Sequence, residues 1–206
     1  MKICAYCRKS GLPLEREHVV PRSLYPKSRA ASKVQRLTVW ACRQCNNAWS
    51  NDEAHFRNMM VIAGEPNDPV KELWSTTVKR GFQQIDGKKR IEDLFSQFVP
   101  TVVDGENRYM VYPGRDERVL RVIRKIIRGL CFHHGISPHV ADEQILADVL
   151  THIVPAEYIE MMEYHHLDQD VFEYRFAVLD TPEIDSAWLL TFFQQRSFIA
   201  CVLAST

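Results

Sequence analysis

Four cysteines in two pairs constrain this chain more than any other feature: Cys4-x-x-Cys7 near the start, and Cys42-x-x-Cys45 after a gap of 34 residues. Two-residue spacing lets both sulfurs of a turn reach one ion, and two such knuckles complete a tetrahedral Cys4 zinc site. A segment of about 60 residues is too small for a self-sufficient core, and a zinc staple is the usual remedy. The gap is longer than in a compact zinc ribbon, so something is inserted between the knuckles. Cys131 and Cys201 stand alone in apolar periodic stretches and read as small core residues. The opening segment "MKICAYCRKSGLPLER" has no apolar run of signal-peptide type, and no segment approaches a membrane span. A cytoplasmic location is therefore expected, with no membrane partner; there thiols stay reduced and CxxC pairs favour metal over disulfides.

The insert holds "LEREHVVPRSLYP", residues 14–26. Val19 and Val20 favour extended backbone, and Pro21 biases Val20 away from helix. Successive side chains on extended backbone point to opposite sides, so Glu17 and His18 could serve two ends of one reaction. A carboxylate is a hard oxygen ligand suited to magnesium, and a neutral imidazole can take a proton from water near neutral pH. A Glu-His dipeptide alone is usually surface decoration.

The zero net charge hides a division. Residues 1–58 carry 11 Lys/Arg against 4 Asp/Glu, a balance of +7, while residues 59–206 carry 15 against 22, a balance of −7. A basic module joined to an acidic body points to a polyanionic partner at the N-terminal end.

Taken together, "C-x2-C … E-H-V-V-P-R-S-L … C-x2-C-N-N" resembles the HNH endonuclease family, whose ββα-metal fold is often stapled by two such zinc knuckles. The resemblance covers roughly residues 1–60. It implies a metal-dependent endonuclease that hydrolyses DNA phosphodiester bonds with one Mg2+ or Mn2+ ion. By position, His18 would activate water, Glu17 would bind the ion, and Asn46 would complete the metal site, with Asn47 as the competing ligand. Arg16, Arg22, Lys27, Arg29, Lys33 and Arg43 surround these motifs and would hold the phosphate backbone. The family usually has an Asn or similar polar residue between the two motifs; here Gln35 or Thr38 would have to substitute. On a helix from Asn46, Glu53 shares the Asn46 face and is a candidate supporting group, whereas His55 falls half a turn away and is expected at the surface or facing DNA.

The expected fold is α+β: an HNH module over 1–63, then a mixed helical and antiparallel-sheet domain over 68–206. Within it, helices are expected over 46–62, 70–85 and 115–135, a helix pair around 141–166, and a hairpin over 98–113 with its turn at Asp104–Asn107. Strands are expected over 171–180 and 187–204, the latter split near Gln195–Ser197. In helix 115–135, Arg118, Arg121, Arg124, Lys125 and Arg128 fill the arc opposite an apolar one. Arg121 and Arg124 could track DNA phosphates, the alternative being a solvated face paired with the acidic surplus around it. The pairs His133–His134 and His165–His166 lack ligand partners at useful spacing and read as surface or helix-end histidines. A rival function is a non-catalytic zinc-stapled nucleic-acid-binding module. In either case the C-terminal domain remains available for a protein partner or self-association.

Overall fold

The computed structural model describes residues 2–29, 36–111, 116–137, 139–168, 170–179 and 181–204. Lys33 and Gln35 lie outside the described residues. Two strands, β1 (Leu14–His18) and β2 (Thr38–Cys42), form an antiparallel hairpin with Glu17 opposite Val39 and His18 opposite Thr38. The chain then enters α1 (Arg43–Asn47) and α2 (Ser50–Ile62). The single helix expected over 46–62 is broken at Ala48–Trp49, where the buried Trp49 packs on Tyr6 with ring centroids 4.8 Å apart.

The middle of the chain is helical. In α3 (Asp68–Leu73) the Asn67 side chain accepts from Val70 N–H and a proline stands in the first turn, a favourable start on both counts. The regular helix expected to continue to 85 widens to a π turn over Trp74–Val78 before α4 (Lys79–Phe82). There Thr76 Oγ1 donates to the Glu72 carbonyl at 2.7 Å, a back-bond that distorts helices. A short helix not anticipated from the sequence, α5 (Gly87–Phe95), leads to the hairpin β3 (Phe98–Val103) and β4 (Glu106–Val111). Its turn is Asp104–Gly105, both at positive φ, as a two-residue hairpin turn requires.

Helix α6 (Glu117–His134) begins on an Asp116 cap and ends at Gly135 in the left-handed conformation. The helix pair expected around 141–166 is corrected: the segment gives the strands β5 (Ile145–Val149) and β6 (Glu163–Asp168), with a single 3-10 turn at Asp142–Gln144 and the short α7 (Ala156–Glu160) as its helical parts. Runs this short fit both periods, and pairing with neighbours decides. With β7 (Phe172–Val178), β8 (Ile184–Phe192) and β9 (Arg196–Leu203) they make a five-stranded antiparallel sheet in the order β5-β9-β8-β7-β6. Tyr174, Phe176, Trp188, Leu190, Phe198 and Ala200 alternate inward on its central strands.

Packing crosses the 63–68 connection. One buried cluster runs from Cys4 and Val19 through α6 to Val202. Phe56 of α2 meets Phe192 and Phe198 of the sheet, with centroids 5.2 and 6.4 Å away. Helix α6 lies between hairpin and sheet, and Gly129 lets it approach the hairpin: a Cβ there would stand 2.8 Å from a Val19 methyl.

Candidate metal cluster and the His18 face

The N-terminal turn is closed by a bridge between Ile3 and Ser10 and carries Cys4 and Cys7. Cys42 ends β2 and Cys45 sits in α1. The four sulfurs lie within 4.8 Å of one another, and Cys7 Sγ stands 3.8 Å from Cys42 Sγ. A tetrahedral zinc site with Zn–S near 2.3 Å requires sulfurs about 3.8 Å apart, so four soft donors at this spacing could hold a structural zinc. Burial works against ionising Cys4, but the backbone N–H groups of Cys7, Cys42 and Tyr6 bring its thiol down to about 7. Burial, with the neighbouring sulfur of Cys42, pushes Cys45 up. The cluster thus offers one ready thiolate, and a cation would draw the other protons off.

Glu17 and His18 point to opposite faces of the hairpin, as strand alternation dictates. Glu17 faces inward and is buried, with its Oε1 2.5 Å from Lys125 Nζ. The same ammonium, wholly buried, donates to Glu53 Oε1 at 2.7 Å and to the His18 carbonyl at 2.6 Å. Three donors meet three acceptors. Burial raises the Glu17 carboxyl, and the charge of Lys125 pulls it back. Asn46 is also engaged: its Nδ2 donates to Glu15 Oε2 at 2.9 Å. Among the described residues, the four cysteines are the one group of three or more His, Cys, Asp or Glu close enough to hold a metal ion. The pair Glu17 and Asn46 does not fit a divalent-ion site as it stands, since a fixed ammonium already lies against Glu17. Asn47 is exposed, and its backbone carbonyl accepts from Ser50.

His18 occupies the other face. In an antiparallel pair, residues opposite each other share a face, so His18, Thr38, Arg16 and Trp40 lie together. The Nδ1 atom of His18 is buried without a partner. Burial lowers the imidazole, and Arg36, Arg22 and Lys125 lower it further, so the ring is neutral at pH 7.

The cationic residues divide into two sets. Arg22, Lys27 and Arg43 are exposed, and no ion pair is formed by them or by Arg16 among the described residues. Arg29, by contrast, is held by Asp168 and Asp170 at 2.8 and 2.7 Å. The stripe on α6 is paired within the chain, although Arg121 stays exposed. Arg121 meets Asp52 at 2.8 Å, Arg124 is bound by Asp142 at 2.7 Å and by Glu117, and Arg128 donates to the Tyr6 carbonyl at 2.6 Å. Arg121 and Arg124 therefore meet carboxylates of this chain, the pairing with the acidic surplus that the alternative reading of this face describes. His55, expected at the surface, is largely covered; its Nε2 stands 2.6 Å from Asp116 Oδ2.

Fold and cluster define the class: an α+β chain whose N-terminal hairpin and helix are gathered around a four-cysteine group able to hold metal. Compared with protein-family models, curated proteins and solved structures, the chain matches none. Among the described residues no helix is long and apolar enough to cross a membrane.

Proposed function

We propose that the chain is an HNH-type endonuclease that hydrolyses DNA phosphodiester bonds, with His18 as general base and zinc as the staple of its Cys4 cluster. The observation that carries this reading is the setting of His18: a neutral imidazole at the strand end, influenced by two arginines and with no carboxylate partner among the described residues. Such a ring can accept a proton from water, while Arg22 and Arg36 hold the phosphate oxygens from which the developing charge must be drawn. The water oxygen attacks phosphorus, its proton passes to His18, and the bond to the 3′ oxygen breaks with its electron pair left on that oxygen, which takes a proton from solvent water. Arg16, Lys27 and Arg43, exposed on the hairpin and its flanks, hold the backbone by counterion release.

The Mg2+ or Mn2+ that the resemblance implies would need Glu17 to leave Lys125, and no step here is routed through it. The engagement of Glu17 by Lys125 favours one competing reading, a nucleic-acid-binding module without catalysis. Plasmid cleavage by wild type and His18→Ala, with Mg2+, Mn2+ or EDTA, separates the two. A positioned proton acceptor contributes about 10²–10⁴-fold, so His18→Ala should fall at least a hundredfold while retaining DNA binding. Cleavage at the wild-type rate would remove His18 from the reaction, and a wild type that never cuts would leave the binding module. The metal arms report whether a divalent ion displaces Lys125.

A further inference from the structure

Beyond His18, the same face of the hairpin opens into a cavity of about 590 Å³ between the hairpin and the C-terminal sheet. Arg16, Arg36 and Trp40 line it from one side, and His133, His165 and His166 from the other. Among the described residues no Asp or Glu lines it. Its basic groups are held ready. Arg16 lies over the Trp40 ring at 5.8 Å, and Arg36 donates to the Arg29 carbonyl at 3.0 Å while lying over Tyr25 at 4.9 Å. His165 is stacked on Tyr174 with centroids 5.1 Å apart and is fixed by Glu163 at 2.6 Å. Metal is not the natural occupant, since these histidines form no group of close ligand atoms among the described residues.

We infer that this cavity binds an unpaired nucleotide of a single-stranded nucleic acid, next to the phosphate presented to His18. Three observations lead there. Two guanidiniums without a carboxylate partner among the described residues suit phosphate. Planar rings interleaved with cations make a stacking platform that accepts any base. The space is concave and lined from two sides, which suits one splayed nucleotide. Arg36 joins the two sites, because it both lines the cavity and acts on the His18 ring. The placement next to the scissile phosphate rests on the proposed role of His18; the cavity itself does not.

The test uses the full chain and fluorescein-labelled five-nucleotide strands, dT5 and rU5, read by anisotropy over a salt series without added Mg2+. Arg16→Gln should weaken binding roughly tenfold and reduce the slope of log K against log salt by about 0.7, the value for one phosphate contact on a single strand. Arg16 and His166 are exposed, so Arg16→Glu and His166→Glu should weaken binding without unfolding the chain. Binding of dT5 alone, or of both strands, supports the cavity and states its sugar preference. Unchanged affinity in all three variants, or displacement of dT5 by inorganic phosphate at equal concentration, would overturn it. His18→Ala keeps the two ideas apart. If it still cuts while Arg16→Glu and His166→Glu both lose dT5, the base assignment fails and the cavity stands. If it stops cutting while His166→Glu binds normally, the cavity fails and the base stands.

Discussion

Lys125 Nζ stands 2.5 Å from Glu17 Oε1, with no solvent contact and with Glu53 and the His18 carbonyl as its other acceptors. A helix of the C-terminal half thereby places a fixed positive charge on the carboxylate that the Glu-His motif offers. Removing the ammonium leaves two carboxylates facing each other in a covered site. Breaking a buried pair in this way costs about 3–5 kcal/mol, so Lys125→Met should lower the melting temperature strongly. Adding Glu17→Gln and Glu53→Gln should recover much of the loss. A Lys125→Met chain as stable as wild type would mean that the ammonium lies elsewhere in solution.

The cysteine cluster predicts one zinc ion per chain. Apparent zinc affinity in such sites is folding free energy, so Cys42→Ser should lose the metal and loosen the hairpin, and chelation should do the same to wild type. Native mass spectrometry reads the stoichiometry, and amide exchange across residues 2–29 reads the loosening. Zinc-free protein with unchanged exchange would refute the staple.

Gly129 sets how closely α6 can approach the hairpin. Alanine improves helix propensity by about 1 kcal/mol, but its Cβ would stand 2.8 and 2.9 Å from the two Val19 methyls. Overpacking costs about 1–3 kcal/mol, so the crowding prevails and Gly129→Ala should lower the melting temperature. Combined with Val19→Ala it should be milder than the two single losses added together. A stabilised Gly129→Ala would show that propensity outweighs the contact.

What was legible in the sequence was local. The CxxC spacing predicts the sulfur cluster, strand alternation predicts that Glu17 and His18 face apart, and Asp104–Asn107 marks the hairpin turn that falls at Asp104–Gly105. What was hidden depended on distance along the chain. Glu53 lies 72 residues from the ammonium it binds, and His134 lies 40 residues from the Tyr174 hydroxyl it meets at 2.9 Å. The same holds for the basic face of α6: periodicity separates the apolar arc from the arginines but puts the wholly buried Lys125 on the polar side, and the surface that the arginines meet is made by Asp52, Asp142 and the Tyr6 carbonyl. Periodicity tells which side of a helix is polar. It does not tell whether water, phosphate or another part of the chain will meet that side.

Asp116 is the clearest source of acid sensitivity. It caps α6 by accepting from Arg118 N–H at 2.9 Å, pairs with the Arg118 guanidinium at 2.8 Å, and meets His55 at 2.6 Å, all with its side chain almost wholly covered. Burial alone would raise its carboxyl, but the hydrogen bonds from Arg118 and the charge of His55 outweigh burial and hold it below its ordinary 3.8. A depressed acid stabilises the folded chain fully above its unfolded value, and the contribution is lost as pH falls through the lower folded one. Asp116→Asn keeps an oxygen for the cap but loses the charge, whereas Asp116→Ala also loses the cap, worth about 0.5–2 kcal/mol. Near pH 7 both variants should melt below wild type, with Ala the lower of the two. As pH drops below about 4, the gap between wild type and Asp116→Asn should close, because protonated Asp116 has no charge left to lose. Melting curves from pH 7 to pH 3 measure it. A gap that stays constant across that range would show that the charge of Asp116 contributes nothing and that the cap accounts for its whole effect.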